Sequence, residues 1–349
     1  MKVTANLVKS GASETERDVQ AALKLGPTPG VDSLRTITPV VENLVNDASS
    51  RTSSRFIKKF GQDDRNQAKW KEFTTFTSYT HSKAKKRLGQ HFLKDTGILD
   101  KIVNWIDPAA DQVFIEIGAG TGALSARLAE KAGALTVIEI DGDCIPVLEE
   151  TLARFDSAVV VHADILNLDP AELVYKHIRP GQKLRVTGNL PYNIGTAIIG
   201  KLLRADLQID AMFFMLQIEV VERILARPET QEYGVLSVLC RHYAEARMGF
   251  KVSPACFTPR PKVMSAVMSM HPRPRYKNAE WEALFEDLVK ACFAHRRKTL
   301  ANSLLMNTRF GKISAELLTK TDIDGTRRAE SLDYVEYERL TDIHFREFS

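Results

Sequence analysis

The 349-residue sequence contains no long hydrophobic run. No apolar stretch approaches the roughly 20 residues that a membrane-spanning helix needs, which excludes a helical membrane protein. The N-terminal residues MKVTANLVKSGASETERD lack the apolar core of a signal peptide and contain too many acids for a typical transit peptide. We therefore expect a cytoplasmic protein with no membrane partner.

Cysteines are also scarce. Cys144, Cys240, Cys256 and Cys292 lie far apart, with no C-x-x-C pair and no histidine at a metal-binding spacing. This pattern argues against both a zinc site and a disulfide framework. We expect four reduced thiols and no bound metal.

Positive charge is concentrated in two stretches, although the net charge is only +4. Residues 83–87 read KAKKR, and residues 247–277 contain seven Lys or Arg and no acid. Like charges held this close repel one another, so they indicate an anionic partner such as a phosphate backbone. The alternative for either stretch is a basic surface loop exposed to water.

The chain divides into three regions, and its 44% hydrophobic content is ample for a packed core. Residues 1–80 are polar and weakly patterned, with short helices predicted at 14–25 and 40–46. An accessory segment, a partner-binding arm and a leader added for expression all stay open for this extension. We predict an α/β domain over 81–272 and a small helical domain over 273–349.

The central region alternates short apolar runs with helical spacing. Buried strands are predicted at 113–117, 135–140, 159–162, 184–188 and 212–216. Helices between the first four are predicted at 124–131, 144–155 and 171–178. This β-α-β repeat indicates a doubly wound parallel sheet. In the last region, helices are predicted at 281–293, 297–305 and 331–341.

Polar and glycine residues follow the predicted strands at the points where those strands end. Gly118 and Gly120 of EIGAGTG open a helix after the first strand, Glu139 closes the second strand, and Asp164 follows the third. Such glycines let a backbone approach a ligand, and such carboxylates bind ribose hydroxyls. The alternatives are a tight turn that binds nothing and, for Asp164, a helix N-cap. NAD and S-adenosylmethionine fit these residues equally well.

Asn189-Leu190-Pro191-Tyr192 follows the fourth strand and distinguishes the two cofactors. The Asn189 amide and the carbonyl ahead of Pro191 offer two acceptors for an exocyclic amine. These would aim the lone pair of the amine at a methyl group, while Tyr192 offers a face on which a base can stack. The alternative is a plain turn. The order of these residue types favours transfer of a methyl group to a purine amine.

From about residue 85 to the C-terminus, the chain contains the segments RLGQHFLKD, EIGAGTG, IEID, HAD, NLPYNI, FMLQIEV, FTPRPKV and FAHRRKTLANSL. Together these motifs resemble the small-subunit (16S-type) ribosomal RNA adenine dimethyltransferases, whose bacterial members are the kasugamycin-sensitivity dimethylases. The resemblance implies a Rossmann-like methyltransferase domain followed by a helical RNA-binding domain. It further implies dimethylation of the N6 amines of two adjacent adenosines in the 3′-terminal hairpin, by a monomer acting on a pre-30S-type particle during small-subunit biogenesis.

The resemblance also implies roles for individual residues. Cofactor contacts with S-adenosylmethionine are implied for His91, Leu93, Gly118, Gly120, Glu139, Asp164 and Asn189. The catalytic set is Asn189, Leu190, Pro191, Tyr192 and Phe257, with Phe257 opposite Tyr192 across the flipped base or, alternatively, an ordinary core residue. RNA contacts are implied for Lys85, Lys86, Arg87, Arg260, Lys262, Arg296, Arg297 and Lys298. Leu190 stands where some relatives have a second proline, and we hypothesise that it leaves room for a once-methylated amine.

Three other functions stay open. A related class of antibiotic-resistance methylases modifies large-subunit RNA and shares the cofactor motifs, although FAHRRKTLANSL matches the small-subunit enzymes. A mitochondrial branch acts as a transcription factor, and the nearly complete site argues against that role. The third is a ribosome-assembly factor for which binding matters more than methylation.

Overall fold

The computed structural model describes residues 90–169, 181–205, 207–274 and 277–348. The N-terminal extension, the basic run at 83–87 and the helix predicted at 171–178 lie outside these residues. Within them no helix is long and apolar enough to cross a membrane. All four cysteines are free thiols, and three of them are buried.

Nine strands are present in the described residues. They are β1 (Phe92–Leu93), β2 (Gln112–Ile117), β3 (Ala134–Glu139), β4 (Ala158–His162), β5 (Lys183–Asn189), β6 (Ile209–Gln217), β7 (Ala244–Val252), β8 (Phe257–Thr258) and β9 (Ser265–Pro272). The α-helices are α1 (Thr96–Ile106), α2 (Ala123–Ala129), α3 (Ile145–Leu152), α4 (Gly195–Arg204), α5 (Ile218–Leu225), α6 (Val235–Tyr243), α7 (Ala279–Phe293), α8 (Leu300–Leu305), α9 (Ser314–Thr321) and α10 (Tyr334–Glu347).

Seven strands form one sheet in the order β4-β3-β2-β5-β6-β9-β7. The strands from β4 to β6 pair in parallel, whereas β9 is antiparallel to both β6 and β7. A dinucleotide-binding sheet has six strands in the order 3-2-1-4-5-6, so the antiparallel strand β9 is an insertion into that pattern. Parallel pairing brings the carboxyl ends of β2, β3 and β5 to one rim of the sheet.

Apolar side chains on the two faces of the sheet form two separate cores. Phe213 packs with helices α1, α2 and α3, whereas its neighbour Phe214 packs with α4 on the opposite face. All six positions of β2 are buried, because helices cover both faces of this central strand. This two-sided burial explains why the central strands appear in the sequence as continuous apolar runs.

The C-terminal helices share a third core. It contains Trp281, Leu288 and Leu340 from α7 and α10, together with Tyr233 and Val238 from the segment that precedes β7. The Tyr233 hydroxyl donates to the Leu332 carbonyl at 2.8 Å. Residues before the predicted boundary at 273 therefore contribute to this core, and the domain limits themselves stay a prediction.

The predicted strands all form, with ends shifted by at most three residues. Helix α8 begins at Leu300 rather than 297, because the Thr299 side chain caps it. Helix α10 begins at Tyr334 rather than 331, because Asp333 and Glu336 form a capping box there. The sequence analysis did not predict the strands β1, β7, β8 and β9 or the helices α1, α4, α5, α6 and α9.

His242 joins helix α6 to helices α7 and α10. Its two ring nitrogens lie 2.8 Å from Glu338 Oε1 and 3.0 Å from Glu282 Oε2. Because carboxylates only accept, both nitrogens donate when the ring is charged. Burial lowers the pKa of His242, but the two carboxylates outweigh burial, so the pKa lies above its ordinary value of 6.5.

We expect His242→Gln to lower the free energy of unfolding by about 1–3 kcal/mol below pH 6.5. There the ring is charged in both the folded and unfolded states, so its bonds contribute fully. The difference from wild type should shrink as the pH rises through the raised pKa of the folded state. Urea unfolding across this range measures it. The same change at the exposed His271 is the control, and an equal pH dependence there would contradict the assignment.

Candidate active site

A cleft of about 1000 Å³, measured to its open mouth, lies at the carboxyl ends of β2, β3 and β5. It brings together most of the residues that the sequence analysis assigned to the site. The predicted site residues that line it are His91, Leu93, Gly118, Gly120, Glu139, Asn189, Leu190, Pro191 and Tyr192. Polar groups that converge in one apolar cleft are typical of a small-molecule site.

The glycine turn after β2 forms one wall of the cleft. Gly118 and Gly120 have φ angles of 71° and 58°, in the left-handed region that favours glycine. A Cβ atom at Gly120 would stand 2.7 Å from the Phe92 ring. Glycine at 120 therefore lets strand β1 close over the turn.

Glu139, at the end of β3, anchors this turn. Its Oε2 accepts the Gly120 N–H at 2.7 Å and its Oε1 accepts the Asp141 N–H at 2.9 Å. Burial raises the pKa of Glu139, and the backbone N–H donors of Asp141, Gly120 and Ile140 oppose that shift. An ionised carboxylate has about four acceptor positions, so Glu139 can also accept hydrogen bonds from ribose hydroxyls.

Glu116 carries a carboxyl group near the carboxyl end of the buried strand β2. It is 2% exposed, and no described residue donates a hydrogen bond to its Oε2. Burial raises the pKa of Glu116 to about 7, the nearby Ser125 hydroxyl opposes the shift, and the Glu139 carboxylate adds to it. Glu116 also lines the cleft, so its unpartnered oxygen lies where a cationic group of a ligand could be held.

A hydrogen bond to the backbone of His91 sets the orientation of the Asn189 amide. Its Nδ2 donates to the His91 backbone carbonyl at 2.8 Å, which leaves Oδ1 as its acceptor. The Leu190 carbonyl follows directly. Among the described residues, neither Asn189 Oδ1 nor the Leu190 carbonyl accepts a hydrogen bond. Two adjacent acceptors are therefore available on the rim.

Tyr192 is held at both its hydroxyl and its ring. The hydroxyl lies 2.8 Å from Ser265 Oγ, and the His91 ring stacks on the tyrosine with the centroids 5.2 Å apart. Burial raises the pKa of Tyr192, which keeps the phenol neutral at physiological pH. The half-buried ring is suited to stacking rather than to proton transfer.

Leu190 lines the cleft but is only 1% exposed. Its N–H donates to the Met215 carbonyl at 3.1 Å. A proline at this position would lose that hydrogen bond, because proline has no N–H. A Leu190→Pro change would therefore alter the backbone as well as the space beside the amine. Leu190→Val, which keeps the N–H, is a more direct test of whether Leu190 leaves space for a once-methylated amine.

Two predicted site residues are not among those lining the cleft. The Asp164 carboxylate accepts from Leu166 N and Asn167 Nδ2 at 2.9 and 3.1 Å, and so caps the turn after β4. Phe257 is 4% exposed and lies in the core beneath helices α1, α2 and α3. The local hydrogen bonds of Asp164 favour the alternative of a cap. The burial of the Phe257 ring among apolar side chains favours the alternative of a core phenylalanine. The adenine contact of Asp164 and the stacking role of Phe257 stay predictions.

The basic residues are only partly available to a partner. Three cations of the 247–277 run form ion pairs: Arg247 with Glu245, Lys251 with Glu222, and Lys277 with Asp342. Arg296 bonds Glu330 at 3.3 Å and also the Gln231 carbonyl. In the described part of the chain, no ion pair involves the exposed residues Arg260, Lys262, Arg297 and Lys298.

Two features of the site escaped the sequence analysis. Gln90 Nε2 donates to Asp141 Oδ2 at 2.8 Å and ties the start of β1 to the end of β3. The unusual state of Glu116 was also missed, although a single acid inside the apolar run VFIEI is a visible signal of a buried carboxyl group. No three metal-binding side chains of the described residues lie close enough together to hold a metal ion.

The sheet order and this cleft define a Rossmann-like methyltransferase. A family model for ribosomal RNA adenine dimethylases matches residues 81–343. The chain therefore belongs to the ribosomal RNA adenine dimethylase family, and it is an S-adenosylmethionine-dependent methyltransferase. The predicted family, fold class, enzyme class and cofactor are confirmed.

Curated relatives agree with this family. The chain is 45% identical over 258 residues to the ribosomal RNA small subunit methyltransferase A of Chromohalobacter salexigens, covering 74% of this chain and 90% of that protein. It is 39% identical over 264 residues to the protein of the same name from Bacillus pumilus, again covering 74% and 90%.

Two solved structures share the fold. A dimethyladenosine transferase from Plasmodium falciparum is 24% identical with a TM-score of 0.63, and the match covers 73% of this chain and 98% of that one. The 23S rRNA methyltransferase ErmE is 26% identical with a TM-score of 0.54, with coverage of 72% and 98%.

We expect the pKa of Glu116 to appear in the pH dependence of stability. Between pH 4.5 and about 7 the unfolded chain releases this proton while the folded protein keeps it. The free energy of unfolding should therefore fall as the pH rises, by up to about 3 kcal/mol. Glu116→Gln cannot ionise and should lose this dependence in urea unfolding. Glu149→Gln, at an exposed glutamate, should retain the wild-type profile, and a similar loss there would contradict the assignment.

Proposed function

We propose that this protein transfers methyl groups from S-adenosylmethionine to the N6 amines of two adjacent adenosines in the 3′-terminal hairpin of small-subunit rRNA. It would act as a monomer in the cytoplasm, on a pre-30S-type particle during small-subunit biogenesis. The names of its curated relatives support the small-subunit substrate. The two acceptors beside Tyr192, which receive no hydrogen bond from the described residues, support an adenine amine as the methylated group.

The observation that carries the proposal is the orientation of Asn189. Because its Nδ2 is bonded to the His91 carbonyl, its Oδ1 and the Leu190 carbonyl form a pair of acceptors. An exocyclic amine has two N–H donors, so it can satisfy both acceptors at once. These bonds hold the nitrogen lone pair out of conjugation with the ring and available for attack.

The residues of the cleft fit the cofactor. Gly118 and Gly120 allow close approach of a ligand to the backbone, Glu139 would accept the ribose hydroxyls, and the unpartnered Glu116 oxygen would face positive charge. When bound, S-adenosylmethionine supplies a methyl group that is electrophilic because it is attached to a sulfonium. The leaving group is good and the amine is neutral, so the protein contributes mainly orientation. We assign no general base.

The target adenosine must leave its stack to reach this cleft. Extrusion costs a few kcal/mol in a duplex and less in a loop, so a hairpin loop is the favoured substrate. Stacking on Tyr192 returns roughly 1–3 kcal/mol. Stacking and amine orientation therefore depend on neighbouring residues of one motif.

We expect Asn189→Ala to reduce methyl transfer by at least about a hundredfold, because it removes a positioned hydrogen-bond acceptor. The measurement is transfer of labelled methyl from S-adenosylmethionine to undermethylated small ribosomal subunits, analysed as N6,N6-dimethyladenosine. The matched control is Asn193→Ala, an exposed asparagine of the same loop, which should retain activity.

Other outcomes of this assay decide between the alternatives. Label found only in large subunits would assign the protein to the resistance-methylase class. Particle binding without any transferred label would favour an assembly factor. Equal activity of Asn189→Ala and Asn193→Ala would contradict the role given to Asn189.

We further propose that Arg297 and Lys298, with Arg260 and Lys262, contact rRNA phosphates. The double change Arg297→Ala and Lys298→Ala should weaken RNA binding and lower the slope of log K against log salt by about 1 to 2. Cofactor affinity should be unchanged. Arg296 is left out of the variant because its bonds to Glu330 and Gln231 support the fold. Arg154→Ala, just after α3, is the control, and an unchanged salt slope in the double variant would refute the phosphate contacts.

A further inference from the structure

A pair of hydroxyl groups joins Tyr192 to the antiparallel part of the sheet. Tyr192 lies between β5 and α4, and its hydroxyl is 2.8 Å from Ser265 Oγ. Ser265 is the first residue of β9, and β6 separates β9 from β5 in the sheet. The tyrosine side chain therefore reaches a strand two places away from the one that it follows.

Ser265 is a fixed partner in this bond. Its backbone pairs with Gln217 of β6 on one side and Val252 of β7 on the other, and the residue is 0% exposed. Among the described residues, Tyr192 is the only hydrogen-bond partner of its hydroxyl. A buried hydroxyl that loses its partner is costly, so the structure favours keeping the bond.

The bond fixes the position of the Tyr192 ring. The backbone of the turn holds one end of the side chain, and the bond to Ser265 holds the other end. Rotation about χ1 or a shift of the turn would break that bond. Tyr192 lines the cleft, whereas Ser265 is not among the lining residues. A residue outside the cleft therefore determines where the tyrosine surface lies.

The second methyl transfer to an adenine needs this surface more than the first does. In each transfer the amine nitrogen gains a methyl group from the cofactor sulfonium, whose sulfur keeps the electron pair, and loses one proton to water. The unmodified amine has two N–H donors for Asn189 Oδ1 and the Leu190 carbonyl, whereas the once-methylated amine has one. With one acceptor left unsatisfied, stacking on Tyr192 must supply more of the orientation.

We propose that Ser265 is a positioning residue for the second methyl transfer, which acts by holding the hydroxyl of Tyr192. This inference rests on the proposed function, in which the adenine stacks on Tyr192. Ser265 takes no part in the bond changes. The inference also gives the inserted strand β9 a role in determining whether the product carries one methyl group or two.

The test removes the bond from each side in turn. Ser265→Ala deletes one hydroxyl, and Tyr192→Phe deletes the other while keeping the ring. The measurement is a time course of labelled methyl transfer to undermethylated small ribosomal subunits. N6-methyladenosine and N6,N6-dimethyladenosine are separated, and a rate constant is fitted for each transfer. The control is Ser269→Ala, at a buried serine of the same strand about 13 Å further along it.

We expect Ser265→Ala to slow the second transfer about two- to tenfold, the effect of one hydrogen bond, and the first transfer by less than about twofold. N6-methyladenosine should therefore accumulate. Tyr192→Phe should give the same result, and the double variant should show no further change, because both substitutions remove one bond. Affinity for S-adenosylhomocysteine should be unchanged in every variant, and Ser269→Ala should match the wild type.

Three results would count against this role. An unchanged second transfer in Ser265→Ala, or an equal slowing of both transfers, would overturn it, because a merely structural residue would not change the ratio of the products. Effects of the two single variants that multiply in the double variant would overturn it by showing that the hydroxyls act separately. Both results leave the proposed function intact. A wild-type protein that binds S-adenosylhomocysteine but transfers no methyl group to small subunits would overturn the proposed function, and this role with it.

Discussion

The site depends on parallel pairing of the central strand β2 with β3 on one side and β5 on the other. Parallel neighbours end at the same rim, so the glycine turn, Glu139 and Asn189 meet although they lie far apart in the sequence. Each of these groups follows or closes a buried strand whose apolar side chains cannot shift without opening a core. The catalytic geometry is therefore set by the packing of the sheet rather than by the loops.

The Glu139 carboxylate holds the glycine turn that forms one wall of the cleft. Glu139 accepts the N–H groups of Gly120 and Asp141, which fixes the glycine turn relative to the end of β3. The short strand β1 then closes over that turn because Gly120 has no Cβ to meet Phe92. Its pairing with β8 brings His91 above Tyr192. A single buried acid thus determines where the far side of the cleft can lie.

The sequence predicted the parallel strands and missed the antiparallel part of the sheet. Strands β2 and β6 appear as apolar runs because both of their faces are covered, whereas β9 was missed although its first six positions are buried, because Ser265 and Ser269 interrupt its apolar run. Strand β7 has mixed burial and several charges, so only its ladder with β9 identifies it. Helix α5 follows β6 with no loop between them, and the run FFMLQIEVVERIL does not show where the strand ends and the helix begins.

The sequence predicted the site residues that strand order places, but not those that depend on side-chain packing. Motif spacing brought Gly118, Glu139 and Asn189 to one rim, since that follows from strand order alone. The burial of Phe257 and the local bonds of Asp164 depend on side-chain packing, which no motif spacing reports. The pKa of Glu116 likewise depends on its surroundings in the folded sheet.

Tyr233 and Val238 belong to the core of the C-terminal helices although they precede β7 and β9. The chain thus contributes to the helical core, returns to add two strands to the sheet, and only then completes that core. The helical part is consequently not a module that can be exchanged as one contiguous piece. A chimera joined at residue 273 would combine core residues from two parents, so an exchange of these helices between relatives must also carry the segment from Tyr233 to Val238.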